Sequence, residues 1–319
     1  MNSKNVTETN NGKKIKTPPF GASLKLGQKG GSIKMNKLLK ALVFEDQISM
    51  SVLDTTDMVN DAMDIHGLTP LTAAALGRTL TVCTFMASNL KNVKDKLSVT
   101  VAGDGVGGKI TVCGNGNLDM RGFIDNPTAD LPLRADGKLD VGGCVGRNGR
   151  LTVVRSMGLK EPYSGSAKLV SGEIAEDFTA YYALSEQQPT AIALGVKIGK
   201  NGKCVGAGGV IMQAMPGASD AAICMAEDVM SQLNNVSTLI EEIGAEKIFD
   251  KFIGDVKFTE YTPKYNCLCD RKYIEQVLVS LGKNELYDII EKEGAITVDC
   301  QFCNKKYVFD KDDVDGLVK

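Results

Sequence analysis

The sequence predicts an α+β fold: an antiparallel, twisted sheet packed with helices, a helical linker, and a small C-terminal module built on four cysteines. Three observations carry that expectation. Between Met35 and about Val210, β-rich runs are split by Gly/Asn/Asp turns around one long, mostly apolar helical stretch. From Pro216 to about residue 262, apolar residues recur at helical spacing. Beyond Pro263, a C-x-C pair and a C-x-x-C pair stand thirty residues apart.

Residues 1–34 are rich in Asn, Lys, Gly, Thr and Ser and carry seven Lys against one Glu, a balance of +6. Such a segment buries too little surface to offset its ordering entropy, so it is expected to be a disordered tail or tag, with Met35 resembling a native start. Residues 35–216 form the expected α+β core domain. LVFEDQISMSVLD has strand character, and Thr69-Pro70 opens a helix over LTAAALGRTLTVCTFMASNL, with Pro70 in its first turn. Small residues on that helix (Ala73, Ala74, Ala75, Gly77) suit close packing on a sheet. Asn148-Gly149 and Asn201-Gly202 predict type I′ hairpins, since both central residues of that turn need positive φ.

Residues 217–262 form the linker, acidic at −6, with Ser219 as the expected cap of its first helix and a stripe of Ile223, Ala226, Met230, Leu233, Ile240, Ile243, Ile248 and Phe252. Gly244 and Gly254 divide it into short helices. Residues 263–319 form the module. Asp270 caps a helix ending near Gly282, a second ends at Gly294, and ITVDCQFCNKKYVFD reads as a hairpin with Cys300-x-x-Cys303 at its turn.

Cys267, Cys269, Cys300 and Cys303 are four soft ligands in two tight clusters, the sequence form of a tetrahedral all-thiolate zinc site. The plain reading is a structural clip for a module too small to have much core of its own. The same four thiolates are also nucleophiles towards peroxide or hypochlorous acid, and each pair is close enough in sequence to form its own disulfide. The residues alone leave clip and switch both open.

Other constellations carry less. Gly103-Asp104-Gly105-Val106-Gly107-Gly108 matches G-x-G-x-x-G, but β-like runs flank it on both sides, so it reads as a turn and no dinucleotide is assigned. His66, the one histidine, has Asp64 near it but no nucleophile elbow, and is expected to be structural. No enzyme is expected. Cys83, Cys113, Cys144, Cys204 and Cys224 read as small core hydrophobes, and Met212, Met215, Met225 and Met230 as packing at the domain boundary. Nine cysteines without a signal-peptide core point to reduced thiols in the cytoplasm, and no run of about 18 apolar residues predicts a membrane span. The near-neutral core and acidic C-terminal half argue against a nucleic-acid partner.

Beyond the cysteine spacing, two further blocks carry a resemblance. They are GRLTVVRSMGLKEPYSGSAKLVSGEIAEDFTAYYALSEQQPTAIALGV, with Pro162-Tyr163-Ser164-Gly165 and Ser185-Glu186-Gln187, and Gly208-Gly209-Val210-Ile211-Met212-Gln213-Ala214-Met215-Pro216-Gly217. Over about residues 35–319 the chain resembles the redox-regulated heat-shock chaperone family, the bacterial 33 kDa chaperonins. The resemblance implies a holdase without ATP, inactive when reduced and zinc-bound through Cys267, Cys269, Cys300 and Cys303. It implies that oxidation pairs Cys267 with Cys269 and Cys300 with Cys303, unfolds the module and the linker, and lets the protein bind unfolding clients, commonly as a homodimer. The rival from another class is a zinc-module adaptor for nucleic acid with a static four-cysteine site.

Overall fold

The computed structural model describes residues 36–158 and 161–318; the expected tail 1–34 and the start at Met35 lie outside them. In chain order the core opens with strands β1 (Lys37–Val43) and β2 (Ile48–Asp54), then helices α1 (Thr56–His66) and α2 (Pro70–Ala87). Strands β3 (Lys96–Ala102), β4 (Ile110–Asn115) and β5 (Asp119–Ile124) follow, then α3 (Val141–Val145), β6 (Arg150–Ser156) and β7 (Tyr163–Lys168). Next come α4 (Ala175–Tyr181), with a π-helical turn at Tyr182–Glu186, and strands β8 (Thr190–Ile198) and β9 (Cys204–Ala214). The linker folds as α5 (Asp220–Ser231), α6 (Val236–Phe252) and the short strand β10 (Thr259–Tyr261). The rest is β11 (Lys264–Tyr265), α7 (Arg271–Val279), α8 (Lys283–Glu293), β12 (Ile296–Asp299), β13 (Lys306–Phe309) and α9 (Lys311–Leu317).

Strands β12 and β13 pair as a separate antiparallel ribbon, and β1 to β11 divide into two sheets. One has the order β10-β1-β2-β9-β8, the other β11-β5-β4-β3-β6-β7. Within the second, only the short β11 runs parallel to its neighbour, β5. Helix α2 lies between the sheets, which explains its composition: every residue except Pro70 and Arg78 is buried. Its threonines remain satisfied because Thr79, Thr81 and Thr84 donate back to the carbonyls of Ala75, Gly77 and Leu80 at 2.8–2.9 Å. Thr69 caps the helix, its hydroxyl accepting from the Thr72 amide, with Pro70 next, as the sequence predicts.

The first sheet is apolar on both faces. Leu38, Leu53 and Ile211 point towards α2, whereas Leu39, Met50, Val52, Val210 and Met212 point outwards. Helices α5 and α6 and the turn between them cover that outer face with Ala222, Ala226, Val229, Leu233, Ile240, Ile248 and Phe249. Ser219 caps α5 as expected, and Gly244 kinks α6 at φ 80°.

Several expectations need correcting. Asn148-Gly149 is no hairpin turn: β6 pairs with β3 and β7, and neither residue has positive φ. Instead the Asp104 carboxylate captures Asn148 through its amide and side chain, and Gly149 is required because a Cβ there would meet the Ala102 carbonyl oxygen at 1.9 Å. Asn201-Gly202 does join β8 to β9, but only Gly202 is left-handed (φ 74°), so the turn is not type I′; the Asn201 side chain accepts from the Lys203 amide instead. In the α5 stripe Ala226 and Leu233 are buried as expected, but Ala222 and Val229 take the other two places, leaving Ile223 and Met230 half-buried and Met225 exposed. For the same reason Cys224 is exposed rather than a core thiol, and Cys113 is half-buried; Cys83, Cys144 and Cys204 are buried as expected.

Candidate metal centre

The two cysteine pairs come from elements of different kind. Cys267 and Cys269 sit on the extended segment entering α7, whose first turn is fixed by the Asp270 carboxylate accepting from the Tyr273 amide at 2.7 Å. Cys300 and Cys303 lie on the loop joining β12 to β13. The Cys300 carbonyl accepts from the amides of Cys303 and Asn304 (3.3 and 2.8 Å), and Asn304 takes the left-handed φ of 56° that closes the loop. Helices α7 and α8 span the thirty-residue gap and return the chain to the first pair. Under them lies a small core of Ile274, Leu278, Leu286, Ile290, Ile296, Tyr307, Phe309 and Val314.

The four Sγ atoms lie within 4.8 Å of one another and are half-buried. Cys267 and Cys300 approach to 3.7 Å, Cys269 and Cys303 to 3.4 Å. A tetrahedron of thiolates about 2.3 Å from a metal ion has sulfur–sulfur edges of about 3.8 Å, so the group could hold one metal ion after small shifts of the sulfurs. Burial pushes the Cys267 and Cys303 thiols up. Burial acts on Cys269 in the same direction, but the Tyr307 hydroxyl, 3.2 Å from its sulfur, and the neighbouring thiols outweigh it and hold Cys269 below the usual thiol range.

The centre sits where the module meets the core. Asn266 donates from its backbone to the Met120 carbonyl and from its side chain to Asp119 (2.8 and 2.9 Å), which continues the pairing of β11 with β5. Burial tends to raise the Asp119 pKa. Hydrogen bonds from Asn117, Asn266 and Asn115 and the charge of Lys264 more than offset this and keep the carboxylate below its usual range. The Tyr265 hydroxyl lies 2.7 Å from the Gly122 carbonyl, 2.8 Å from that of Phe302 and 3.1 Å from His66 Nε2. Phe302, inside the C-x-x-C loop, meets Phe123 edge to face at 5.1 Å and lies under the Arg121 guanidinium at 5.0 Å. Asn304 donates to the Ile65 carbonyl at 2.6 Å. Beside these contacts a cleft of about 640 Å³, lined in part by Cys113, Arg121, Leu268, Tyr273 and Phe302, leads to Cys267, Cys269 and Cys300.

The four sequence-predicted ligands are thus brought together. His66 is tied to Tyr265, and burial lowers its pKa below the ordinary imidazole value. The G-x-G-x-x-G segment turns between the antiparallel β3 and β4. Tyr307, Tyr265 and Phe302 were not singled out from the sequence. For Tyr307 the one available signal was strand alternation, which puts it on the inner face of β13 with Phe309.

Comparison with known proteins agrees with this architecture. The family model described as Hsp33 protein matches residues 36–310. The 33 kDa chaperonin of Acetivibrio thermocellus is 42% identical over 286 residues, covering 88% of this chain and 96% of that protein. Its namesake in Clostridium acetobutylicum is 38% identical over 289 residues, covering 89% and 97%. The crystal structure of the 33 kDa chaperonin (heat shock protein 33 homolog) from Thermotoga maritima superposes with a TM-score of 0.81 at 31% identity, covering 89% of this chain and 98% of that one. Among the described residues no helix is long and apolar enough to cross a membrane. With a two-sheet core, a helix-covered outer face and four converging thiols, and with relatives matched over nearly their whole length, the chain belongs to the Hsp33 family.

Proposed function

We propose that this chain is an ATP-independent, redox-regulated chaperone, a holdase for unfolding proteins in the cytoplasm and no enzyme. Its parts are a core of residues 35–216, a linker of residues 217–262 and a switch module of residues 263–319. The observation that carries the reading is the convergence of four half-buried thiols at the joint between the module and the core. The soft, all-sulfur donor set fits zinc, held by Cys267, Cys269, Cys300 and Cys303. Bound zinc supplies folding energy to a module whose own apolar core is eight buried residues.

Oxidation converts Cys267 with Cys269, and Cys300 with Cys303, into disulfides. For each pair one peroxide accepts two electrons from the two thiols, a sulfur–sulfur bond forms, and two waters leave. The sulfurs then no longer serve as ligands, and the module loses its main support. Helices α5 and α6 are short and acidic, weak when isolated, and stay folded by packing on the first sheet. Their release uncovers Leu39, Met50, Val52, Val210 and Met212, an apolar face able to hold exposed segments of a client. The active species is a homodimer. Neither nucleic acid nor membrane is a partner.

The test is to treat reduced, zinc-loaded protein with peroxide under mild heat while following zinc release and light scattering of a thermally unfolding client. The reading requires both to respond together. Zinc that stays bound with no suppression of aggregation overturns it. Salt-sensitive nucleic-acid binding by residues 35–319 would point to the adaptor reading instead.

A further inference from the structure

The loop that carries Cys300 and Cys303 also makes the aromatic contact between module and core, and the two tasks share a residue. Phe302 stands between the ligand cysteines. Its ring packs on Phe123 and under Arg121, its carbonyl lies 2.8 Å from the Tyr265 hydroxyl, and two residues on Asn304 reaches the Ile65 carbonyl at the end of α1. On the core side, β5 alternates from Met120 onwards: Met120, Gly122 and Ile124 are buried inwards, while Arg121 and Phe123 are half-buried outwards. The receiving surface is therefore a regular strand face, fixed by the pleat and independent of the metal. The loop, in contrast, carries two of the four sulfurs, so a change in their bonding bears directly on its backbone.

The same strand leads to the linker. Tyr265 belongs to β11, and four residues earlier the chain pairs as β10 with β1. Asn36 donates to the Pro263 carbonyl between them at 3.2 Å, and Phe258 stacks on Phe249 of α6 at 5.6 Å. From Phe302 to α6 the contacts are thus continuous.

We propose that Phe302 is the positioning residue of the switch: a latch, seated on Arg121 and Phe123, through which the state of the four cysteines is transmitted to β11, β10 and the linker. The inference rests on the functional reading above and adds the residue that couples its two halves. It separates metal binding from linker docking, because Phe123 and Arg121 lie on the core and are absent from the four-sulfur cluster.

The experiment uses the full chain, reduced and zinc-loaded, with Phe123→Ala, Phe302→Ala and Phe302→Tyr. Zinc affinity by chelator competition is expected to be unchanged in Phe123→Ala. Amide exchange in β10, β11 and α6 is expected to quicken about tenfold in both alanine variants, the worth of the one aromatic pair that each removes. Both should suppress client aggregation in part without oxidant, and Phe302→Tyr should restore wild-type protection. Wild-type exchange and full reduced-state inactivity in Phe123→Ala would overturn the latch. Faster exchange confined to β5 and the C-x-x-C loop, with α6 unchanged, would also overturn it, since the contact would then be local packing. Failure of wild-type protein to gain activity on oxidation would count against the functional reading, while the exchange measurement would still decide the latch.

Discussion

Tyr307 and Cys269 are 38 positions apart, yet the phenol hydroxyl lies 3.2 Å from the sulfur and 3.1 Å from the Cys269 carbonyl. A hydrogen bond donated to a thiolate disperses its charge and fixes the orientation of the ligand, which is the usual office of an outer-shell partner. Loss of such a partner typically weakens metal binding by about ten- to a hundredfold. Tyr307→Phe is expected to fall near the lower end, about tenfold, because the ring and its packing beside Phe309 are kept. Chelator competition on the reduced protein measures it, and an unchanged affinity would show that the hydroxyl serves only the carbonyl. The cysteine spacing announced the four converging thiols because a metal site demands particular residue types close together. It could not announce Tyr307, since a tyrosine on an inward strand position usually reports packing alone. Phe302 was hidden for the opposite reason: inside a C-x-x-C it looks like a spacer, and its partners Arg121 and Phe123 are some 180 residues earlier.

At the scale of elements, the linker is fitted to the first sheet by missing side chains as much as by apolar ones. The N-terminal turn of α6 lies over Gly195, Gly206 and Gly208. A Cβ on Gly206 would meet the Ser237 carbonyl oxygen at 2.2 Å, and one on Gly208 would meet Ile240 Cδ1 at 2.3 Å and the Leu53 carbonyl oxygen at 1.9 Å. Ion pairs such as Lys197–Glu241 at 2.6 Å stand at the rim, where they contribute little. Gly206→Ala is therefore expected to lift α6 while leaving the face towards α2 intact. Amide exchange across 236–252 should rise by at least about tenfold in the reduced, zinc-loaded protein, whereas β3 and β6 keep their protection. Unchanged exchange in α6 would mean that the helix can shift without leaving the sheet. The linker's helices, its cap at Ser219 and its break at Gly244 were all legible, because they follow from local periodicity and backbone preference. Its exact face was not. Ala222 and Val229 stand one position from Ile223 and Met230, a shift that barely alters the periodicity, and packing on the first sheet makes the choice between them. Asn148-Gly149 failed likewise: the local turn preference yielded to the carboxylate of Asp104, 44 positions away.

Across the whole molecule, cohesion is uneven, and the unevenness follows the chain. The inner core between the two sheets gathers α2, α4 and strands of both sheets around Phe85, Phe178 and Tyr181, all at most 2% exposed. The outer face of the first sheet depends on the linker, and among the described residues the module's apolar cluster has eight buried side chains around its hairpin and helices. A domain of that size holds together poorly without a staple, so its stability should be tied to the metal in a way that the core's is not. Stripping the metal from reduced protein with a strong chelator is expected to abolish amide protection across 267–318 and to weaken it in α5 and α6. Strands β3 to β9 should keep theirs. The same treatment in the presence of excess thiol forms no disulfide, so it separates loss of the ligand cluster from oxidation itself. If unfolding of the module suffices to free the linker, the chelated protein will suppress client aggregation without any oxidant, and restoring zinc will reverse the effect. Loss of protection spread evenly over core and module would instead show one cooperative unit, with the metal stabilising all of it. Module unfolding without any change in α6 would show that β10 and β11 hold the linker down without help from the metal site.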